Sequence, residues 1–258
     1  MSDVSPRFVI LDRDSVDAHH LCCALGDKKH VLGVERKREW LKARFDEGLV
    51  FRKLDVRGKV FIEYAPAEVS WRPVVAPGWL VVHCLWVSGK YAKRGYGTQL
   101  VEGALEDARA RGRAGLVVAS SKSKRPFLAD PRWLRRRGFG EVDRAGEWRL
   151  WALPVGGDGE ASTPRFADAV RETGEGTGGV FLARYDDQCP FNAHWTAEVA
   201  ESLRARGHEV TVERVRSAEA ARSSRSPLGT YGLERDGRLV CHHLTTDGAT
   251  ERMLAKLS

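Results

Sequence analysis

Apolar and polar residues change their period several times along this chain, and each change predicts an element. Residues 8–11 read as a strand, residues 17–23 as a short helix and residues 33–47 as a longer one. Three apolar runs of strand length follow at 48–54, 59–65 and 79–87, with prolines and Trp71 predicting a hairpin or loop between the last two. From 98 to 111 the period becomes helical, with Leu100, Val101, Ala104, Leu105 and Ala108 on one face and Gly112 closing the helix. An all-apolar strand at 115–120, a helix at 130–137 ending at Gly138 and a strand at 147–153 complete this part.

After Pro154 the composition shifts. The tracts VGGDGEAST and TGEGTGG flank the short helical stretch PRFADAVRE, as in an interdomain connection. Beyond it the pattern predicts a strand at 179–185, a helix at 192–206, a strand at 209–215 and a short helix at 218–223. Two strands joined by Asp236-Gly237 and a helix from Gly248 follow. We therefore expect a first domain over 1–155, a linker over 156–178 and a second, smaller α/β domain over 179–258.

Composition adds limits. Hydrophobic residues make up 42% and charged residues 30% of 258, the profile of a soluble globular chain of one or two domains. No apolar run approaches the roughly 20 residues that span a bilayer, and the N-terminus lacks the layout of a signal peptide, so a cytoplasmic protein without membrane contact is expected. The net charge of +7 is unevenly spread: between Arg109 and Arg137 lie ten basic residues and one acid, Asp130. Such a patch attracts polyanions, but it lacks interleaved aromatics, which favours a phosphorylated small molecule over nucleic acid. Five cysteines at 22, 23, 84, 189 and 241 form no secreted disulfide framework. His19, His20, Cys22 and Cys23 cluster in sequence, yet no Cys-x-x-Cys occurs and packing explains them better than a metal, so no metal site is assigned.

The stretch LWVSGKYAKRGYGTQL carries the clearest chemistry. A strand ends, a basic turn Lys93-Arg94-Gly95-Tyr96-Gly97-Thr98 follows, and a helix begins. Glycines let a backbone approach a ligand closely, and the free N–H groups of a helix start attract anionic oxygens. The turn is neither a Walker A loop nor a dinucleotide fingerprint, since it lacks the Gly-Lys-Ser/Thr of one and the third glycine of the other.

Strand, basic Gly-x-Gly turn, amphipathic helix, buried strand, helix and Arg-Gly-Phe, in that order, resemble the Gcn5-related N-acetyltransferase (GNAT) superfamily over about residues 8–153. The resemblance implies an α+β mixed sheet and acetyl-CoA as cosubstrate. It implies that the strand ending Leu85-Trp86-Val87 splays from the strand at 115–120. The pantetheine arm would lie in that gap, hydrogen-bonded to backbone at 85 and 87. The amides of Lys93 to Thr98 would take the pyrophosphate, with Lys122, Lys124 and Arg125 beside the nucleotide phosphates. The N–H near Val87 would polarise the thioester carbonyl. Asp27, Lys28, Lys29 and His30, with Trp40 and Trp71, would shape the acceptor site. The chain departs from the family pattern at Ala92, near Phe127, and at Leu134, which stands where a tyrosine often protonates the CoA thiolate. Ser120, Ser121, water or another tyrosine could replace it as the acid. For the base, Glu63, His83 and Cys84 lie on central strands. Strand alternation predicts that His83 and Cys84 face opposite sides.

In the second domain, YDDQCPFNAH sets Cys189-Pro190-Phe191-Asn192 at a strand-to-helix junction, where the helix dipole favours a thiolate. The stretch resembles a thioredoxin or glutaredoxin active-site turn whose second cysteine is Asn192. Ser226-Pro227 stands where that fold has its cis-proline. A dithiol role would need Cys241; a monothiol, ligand-binding or structural role stays open. The two domains together, with HCLWVSGKYAKRGYGTQL, CPFNA and SPLGTYGLERDGRLVCH, resemble the YoaP-type acetyltransferases along nearly the whole chain. The expected activity is acetyl-CoA-dependent N-acetylation of a small amine or amino-acid-like acceptor. The thioredoxin-like domain would assist substrate binding or redox sensing, and a homodimer is allowed. The alternatives are a regulatory protein that binds CoA or nucleic acid without transfer, or a thiol- or metal-dependent enzyme on the same scaffold.

Overall fold

The structure, a computed structural model, describes residues 7–21, 24, 26–125, 127–156, 162–243 and 247–255. Its chain divides into two compact units. Of the described residues, the first takes 7–21, 24, 41–70, 74–156 and 162–166, and the second takes 26–40, 71–73, 167–243 and 247–255.

The first unit is built on β1 (Phe8–Leu11), the end of α1 (Val31–Phe45), β2 (Val50–Leu54), β3 (Val60–Pro66), β4 (Val74–Val75), β5 (Leu80–Val87), α2 (Tyr96–Ala110), β6 (Gly115–Ser121), α3 (Pro131–Arg136), β7 (Gly140–Ala145), β8 (Trp148–Pro154) and β9 (Arg165–Phe166). Seven strands form one mixed sheet in the order β1-β2-β3-β5-β6-β8-β7, and β4 pairs with β9. All seven residues of β3 are buried, as a central strand covered on both faces requires. One face carries Val50, Leu54, Val60, Ile62, Tyr64, Leu80 and Val82, packed with Leu100, Val101, Ala104 and Ala108 of α2. Burying each such Leu or Val contributes about 1.5–3 kcal/mol. The helix α3 starts where Asp130 accepts the Arg132 N–H at 2.8 Å, with Pro131 in its first turn.

Several expectations change here. The helix expected over 17–23 is a single 3-10 turn at Val16–Ala18 in its described part, and Cys22 and Cys23 lie outside the described residues. PRFADAVRE forms the short strand β9 and a 3-10 turn at Asp168–Val170 in place of a helix. The strand β7 was not foreseen: it is a polar edge strand, exposed or half-buried throughout, without the apolar alternation that reveals inner strands.

The second unit holds the first ten residues of α1, residues 71–73, β10 (Phe181–Tyr185), α4 (Asn192–Ala205), β11 (Val210–Arg214), α5 (Ala218–Arg222), β12 (Tyr231–Arg235), β13 (Arg238–Cys241) and α6 (Asp247–Leu254). Its sheet order is β11-β10-β12-β13. Strand β10 runs parallel to β11 and antiparallel to β12. Asp236 and Gly237 both take positive φ, 50° and 68°, as the tight turn between β12 and β13 requires. Asp236 also accepts the N–H groups of Thr177 and Gly179, which hold its carboxyl below the usual carboxylate range. The core joins Phe181, Ala183, Val199, Leu203, Tyr231 and Leu233.

Candidate active site

The site begins where two parallel strands part. Between β5 and β6 only Leu80, Val81 and Val82 pair, with Leu116, Val117 and Val118. Beyond them β5 stays with β3 as far as Val87, paired with Val60, and β6 stays with β8 as far as Ser121, paired with Trp148. A gap therefore opens between residues 83–87 and 119–121. The Ser88 N–H donates to Lys59 O, toward the β3 side. Backbone groups alternate along extended chain, so those of Leu85 and Val87 face the gap. Cys84, Leu85, Trp86 and Val87 are half-buried there.

The basic turn follows at the open end. Lys93 and Gly95 take positive φ, 61° and 82°, and Gly95 is the N-cap of α2 with no side-chain cap. Ala92, Lys93, Arg94 and Gly95 are exposed. The Gly95 carbonyl accepts the N–H groups of Thr98 and Gln99 at 2.9 and 3.2 Å. The Thr98 amide is thus spent inside the turn, contrary to expectation. Thr98 instead offers Oγ1, which accepts from the Arg137 guanidinium at 3.2 Å. Arg137 was not singled out from the sequence; as the last of three arginines before Gly138 it had no distinguishing signal. A Cβ on Gly97 would lie 3.3 Å from the Trp133 ring, so this glycine serves packing at the helix start.

Lys122 and Lys124 are exposed in the loop after β6. Arg125 lies over the Trp148 ring at 5.6 Å. Phe127, 78% exposed and at φ 65°, stacks on Trp86 with centroids 5.9 Å apart. Leu134 is a core residue, 1% exposed. Neither Ser120 nor Ser121 is poised as an acid: Ser120 donates to Ala129 O at 2.6 Å and Ser121 to Ser123 O at 2.5 Å. Tyr64 is buried, donates to Asp107 at 3.0 Å, and burial pushes its phenol well above the usual range.

On the sheet face opposite α2, β3 and β5 slip register between Glu63 and Tyr64. Glu63 pairs with Cys84 and Tyr64 with Val82, leaving His83 as the extra residue of a bulge. Cys84 shares the Glu63 face, and His83 Nδ1 lies 3.6 Å from Glu63 Oε1. The two neighbours therefore turn to one side, and the strict alternation expected of them does not hold. Ser70, which no pattern marked, lies with its Oγ 2.9 Å from His83 Nε2.

Comparison with known proteins gives the family. Residues 16–128 match the acetyltransferase (GNAT) family. The chain is 34% identical to the uncharacterized N-acetyltransferase YoaP of Bacillus subtilis (strain 168), over 97% of its own length and 99% of that protein. The chain belongs to the GNAT acetyltransferase family. It is an acetyl-CoA-dependent N-acetyltransferase, homologous to YoaP-type proteins along nearly its full length. Among solved structures it is similar to the GNAT N-acetyltransferase YhbS of Escherichia coli in complex with CoA, at 17% identity and TM-score 0.39, over 67% of this chain and 97% of that one. It is also similar to an N-acetyltransferase of Staphylococcus aureus Mu50, at 11% identity and TM-score 0.41, over 58% and 99% respectively.

The remaining candidates of this GNAT enzyme lie in its second unit. Cys189 is half-buried one turn before α4, and the Asn192 amide donates to Asp186 O at 3.0 Å and Thr230 O at 2.7 Å. Residues from the start of α1 cover this turn. His30 meets the Phe191 ring edge-on at 4.5 Å, Gly33 lies against Pro190, and Lys37 Nζ donates to Gln188 O at 2.8 Å. Arg72 reaches Gln188 Oε1 at 2.6 Å, and Trp40 packs edge-on against Trp71 at 5.5 Å. Asp27 caps the turn Lys28–His30 by accepting the Lys29 N–H at 3.0 Å. Cys241 is buried, its thiol donates to His243 O at 3.0 Å, and burial pushes its pKa up. That is the opposite of what a resolving thiol needs.

No cis peptide occurs among the described residues, so the bond before the buried Pro227 is trans, unlike the cis-proline expected at Ser226-Pro227. Among the described residues no three His, Cys, Asp or Glu gather in a metal-holding group. His20 is engaged elsewhere, with Nε2 2.6 Å from Gly58 O, and burial lowers its pKa. No described helix is long and apolar enough to cross a membrane.

Proposed function

We propose that the enzyme transfers the acetyl group of acetyl-CoA to the nitrogen of a small amine or amino-acid-like acceptor. The observation that carries this reading is the parting of β5 from β6 after Val82, beside a helix start with no side-chain cap. The gap offers backbone groups of Leu85 and Val87 to the pantetheine arm. Outward amides of Lys93 to Gly97, with Arg137 beside them, suit the pyrophosphate, and Lys122 and Lys124 suit the remaining phosphate. The Val87 N–H polarises the thioester carbonyl as negative charge grows on its oxygen.

Glu63 and His83 supply the base. An amine arrives as an ammonium ion and must lose a proton before it attacks; a carboxylate with an imidazole beside it both attracts the cation and accepts that proton. The nitrogen–carbon bond then forms as the carbon–sulfur bond breaks; the nitrogen sheds its second proton to solvent, and the thiolate takes one up from solvent, since Leu134 supplies none. Cys84, on the same face, lines the acceptor side.

For the second unit we favour a thioredoxin-like fold used as a scaffold. Its support is a first strand parallel to the second and antiparallel to the third, with Cys189-Pro190-Phe191 between first strand and helix. The trans bond before Pro227 and the cover over Phe191 favour packing over thiol exchange.

Titration calorimetry with acetyl-CoA and CoA, followed by a thiol-release assay over a panel of primary amines, tests the reading. Micromolar binding of both and turnover with at least one amine are expected. Absence of binding to either would overturn it.

A further inference from the structure

Trp86 stands on the face of the sheet turned away from α2. Its neighbours Leu85 and Val87 pack with the cluster under α2, whereas Trp86 pairs with Phe61, which lies on the other face stacked on Phe51 at 5.1 Å. Cys84 and Glu63 share that face. The ring that meets Trp86 comes from across the gap. Phe127, in the loop after β6, stacks on it with centroids 5.9 Å apart and planes 15° from parallel. That loop is tied at both ends: the Lys122 N–H donates to Glu147 O at 2.7 Å, Ser120 Oγ donates to Ala129 O at 2.6 Å, and Asp130 caps α3.

The pair is not built for stability alone. Phe127 is 78% exposed, so its ring gains little burial. Its φ of 65° is one that an aromatic residue resists. Trp86 Nε1 is buried and meets no acceptor among the described residues. Such costs gather where a protein binds or reacts.

We propose that Trp86 and Phe127 form an aromatic wall that selects the acceptor, an amine joined by a short alkyl arm to a flat aromatic ring. The inference rests on the acetyltransferase reading given above. The wall stands beside Val87, where β5 and β6 have parted, so an acceptor that reaches the thioester meets it. The acceptor ring packs against the pair on its Cys84 side, offset or edge-on as aromatic groups prefer. Side chains two residues apart on one strand face lie about 7 Å apart. A ring beside Trp86 therefore leaves room for a short arm to carry the amine along the face toward Cys84. A small amine without a ring makes none of these contacts, and a saturated ring lacks the flat face that stacks. The sequence marks Phe127 only as a departure from the family pattern, because its partner Trp86 lies on a different strand.

The thiol-release assay on the full chain with phenethylamine, cyclohexylethylamine and ethylamine provides the test. In the wild type, kcat/KM for phenethylamine should exceed that for ethylamine about 10–100-fold, as burial of one aromatic ring implies. Phe127→Ala and Trp86→Leu should each lower that ratio about tenfold, and Phe127→Tyr, which keeps the ring, should retain it. General damage to the fold lowers both amines alike and leaves the ratio unchanged. A wild type without the preference, or a ratio unchanged in both variants, overturns the proposal. Equal rates with cyclohexylethylamine and phenethylamine overturn it too, since the wall would then be merely apolar. Fluorine signals of the chain labelled with fluorotryptophan, with Trp86→Phe identifying that of Trp86, give a readout free of turnover. Phenethylamine should shift the Trp86 signal and ethylamine should not; no shift with phenethylamine overturns the proposal. If the wild type acetylates none of the amines, the functional reading fails, while the Trp86 signal still decides whether the wall binds a ring.

Discussion

Two strand-to-helix junctions in this enzyme begin alike and end differently. Before α2 the turn Lys93 to Gly95 is exposed, glycine-capped and without a side-chain cap. Before α4 the turn Cys189 to Phe191 has the same helix dipole behind it, yet Phe191 meets His30, Pro190 meets Gly33, and Asn192 is bonded to two carbonyls. One helix start stands exposed, and the other has become a packing surface. A helix N-terminus is therefore a capacity, and what covers it decides whether that capacity is used.

The largest effect should come from breaking the open turn. Gly95 has φ 82°, a conformation a β-branched residue resists, so Gly95→Val must rebuild the turn. Strain there is about 1–3 kcal/mol, and with tenfold per 1.4 kcal/mol acetyl-CoA affinity should fall about 100-fold by calorimetry. An unchanged affinity would show that the donors lie elsewhere.

The covered turn should fail in stability. A Cβ on Gly33 would overlap the Pro190 carbonyl oxygen, so backbone must move. Overpacking costs about 1–3 kcal/mol, and Gly33→Leu should reach at least the upper end in urea unfolding. A fully stable Gly33→Leu would mean that α1 does not seal this turn.

The same cover predicts a pH response. Burial lowers the pKa of His30 below its usual 6.5. The unfolded chain then binds a proton that the native state refuses, so stability is retained above about pH 6.5 and falls as pH drops toward the lowered value. His30→Phe should flatten that acid limb in unfolding midpoints measured between pH 7.5 and 5.5; an unaltered slope would place its origin at another group.

Smallest of all should be Cys189→Ser. If the covered turn is structural, acetyl-CoA affinity and kcat should stay within about twofold. A larger loss, or rapid labelling of Cys189 by a thiol reagent at neutral pH, would restore a chemical role to the thiol.

Much of the fold was legible because its signals are local. The helical stripe from Leu100 to Ala108, the glycine stops and the Asp236-Gly237 turn depend only on neighbours in sequence. The GNAT resemblance was likewise carried by one contiguous stretch, and the parting of β5 from β6 followed from it. Legibility failed where partners are distant or polar. Strand β7 lacks alternation because it lies at an edge. His83 and Cys84 were expected on opposite faces because a bulge in β5 depends on its pairing with β3. Ser70 and Arg137 take their significance from side chains thirteen and thirty-nine residues away.

Sequence by itself determined the order of the inner strands and the longer helices and the place of the basic turn, since periodicity, glycine and proline act over a few residues. Only the tertiary structure decided which helix start stays open, which residues join Glu63, and that Leu134 belongs to the core. Those depend on what packs against a residue from afar, and hydrogen bonding and burial are satisfied in three dimensions.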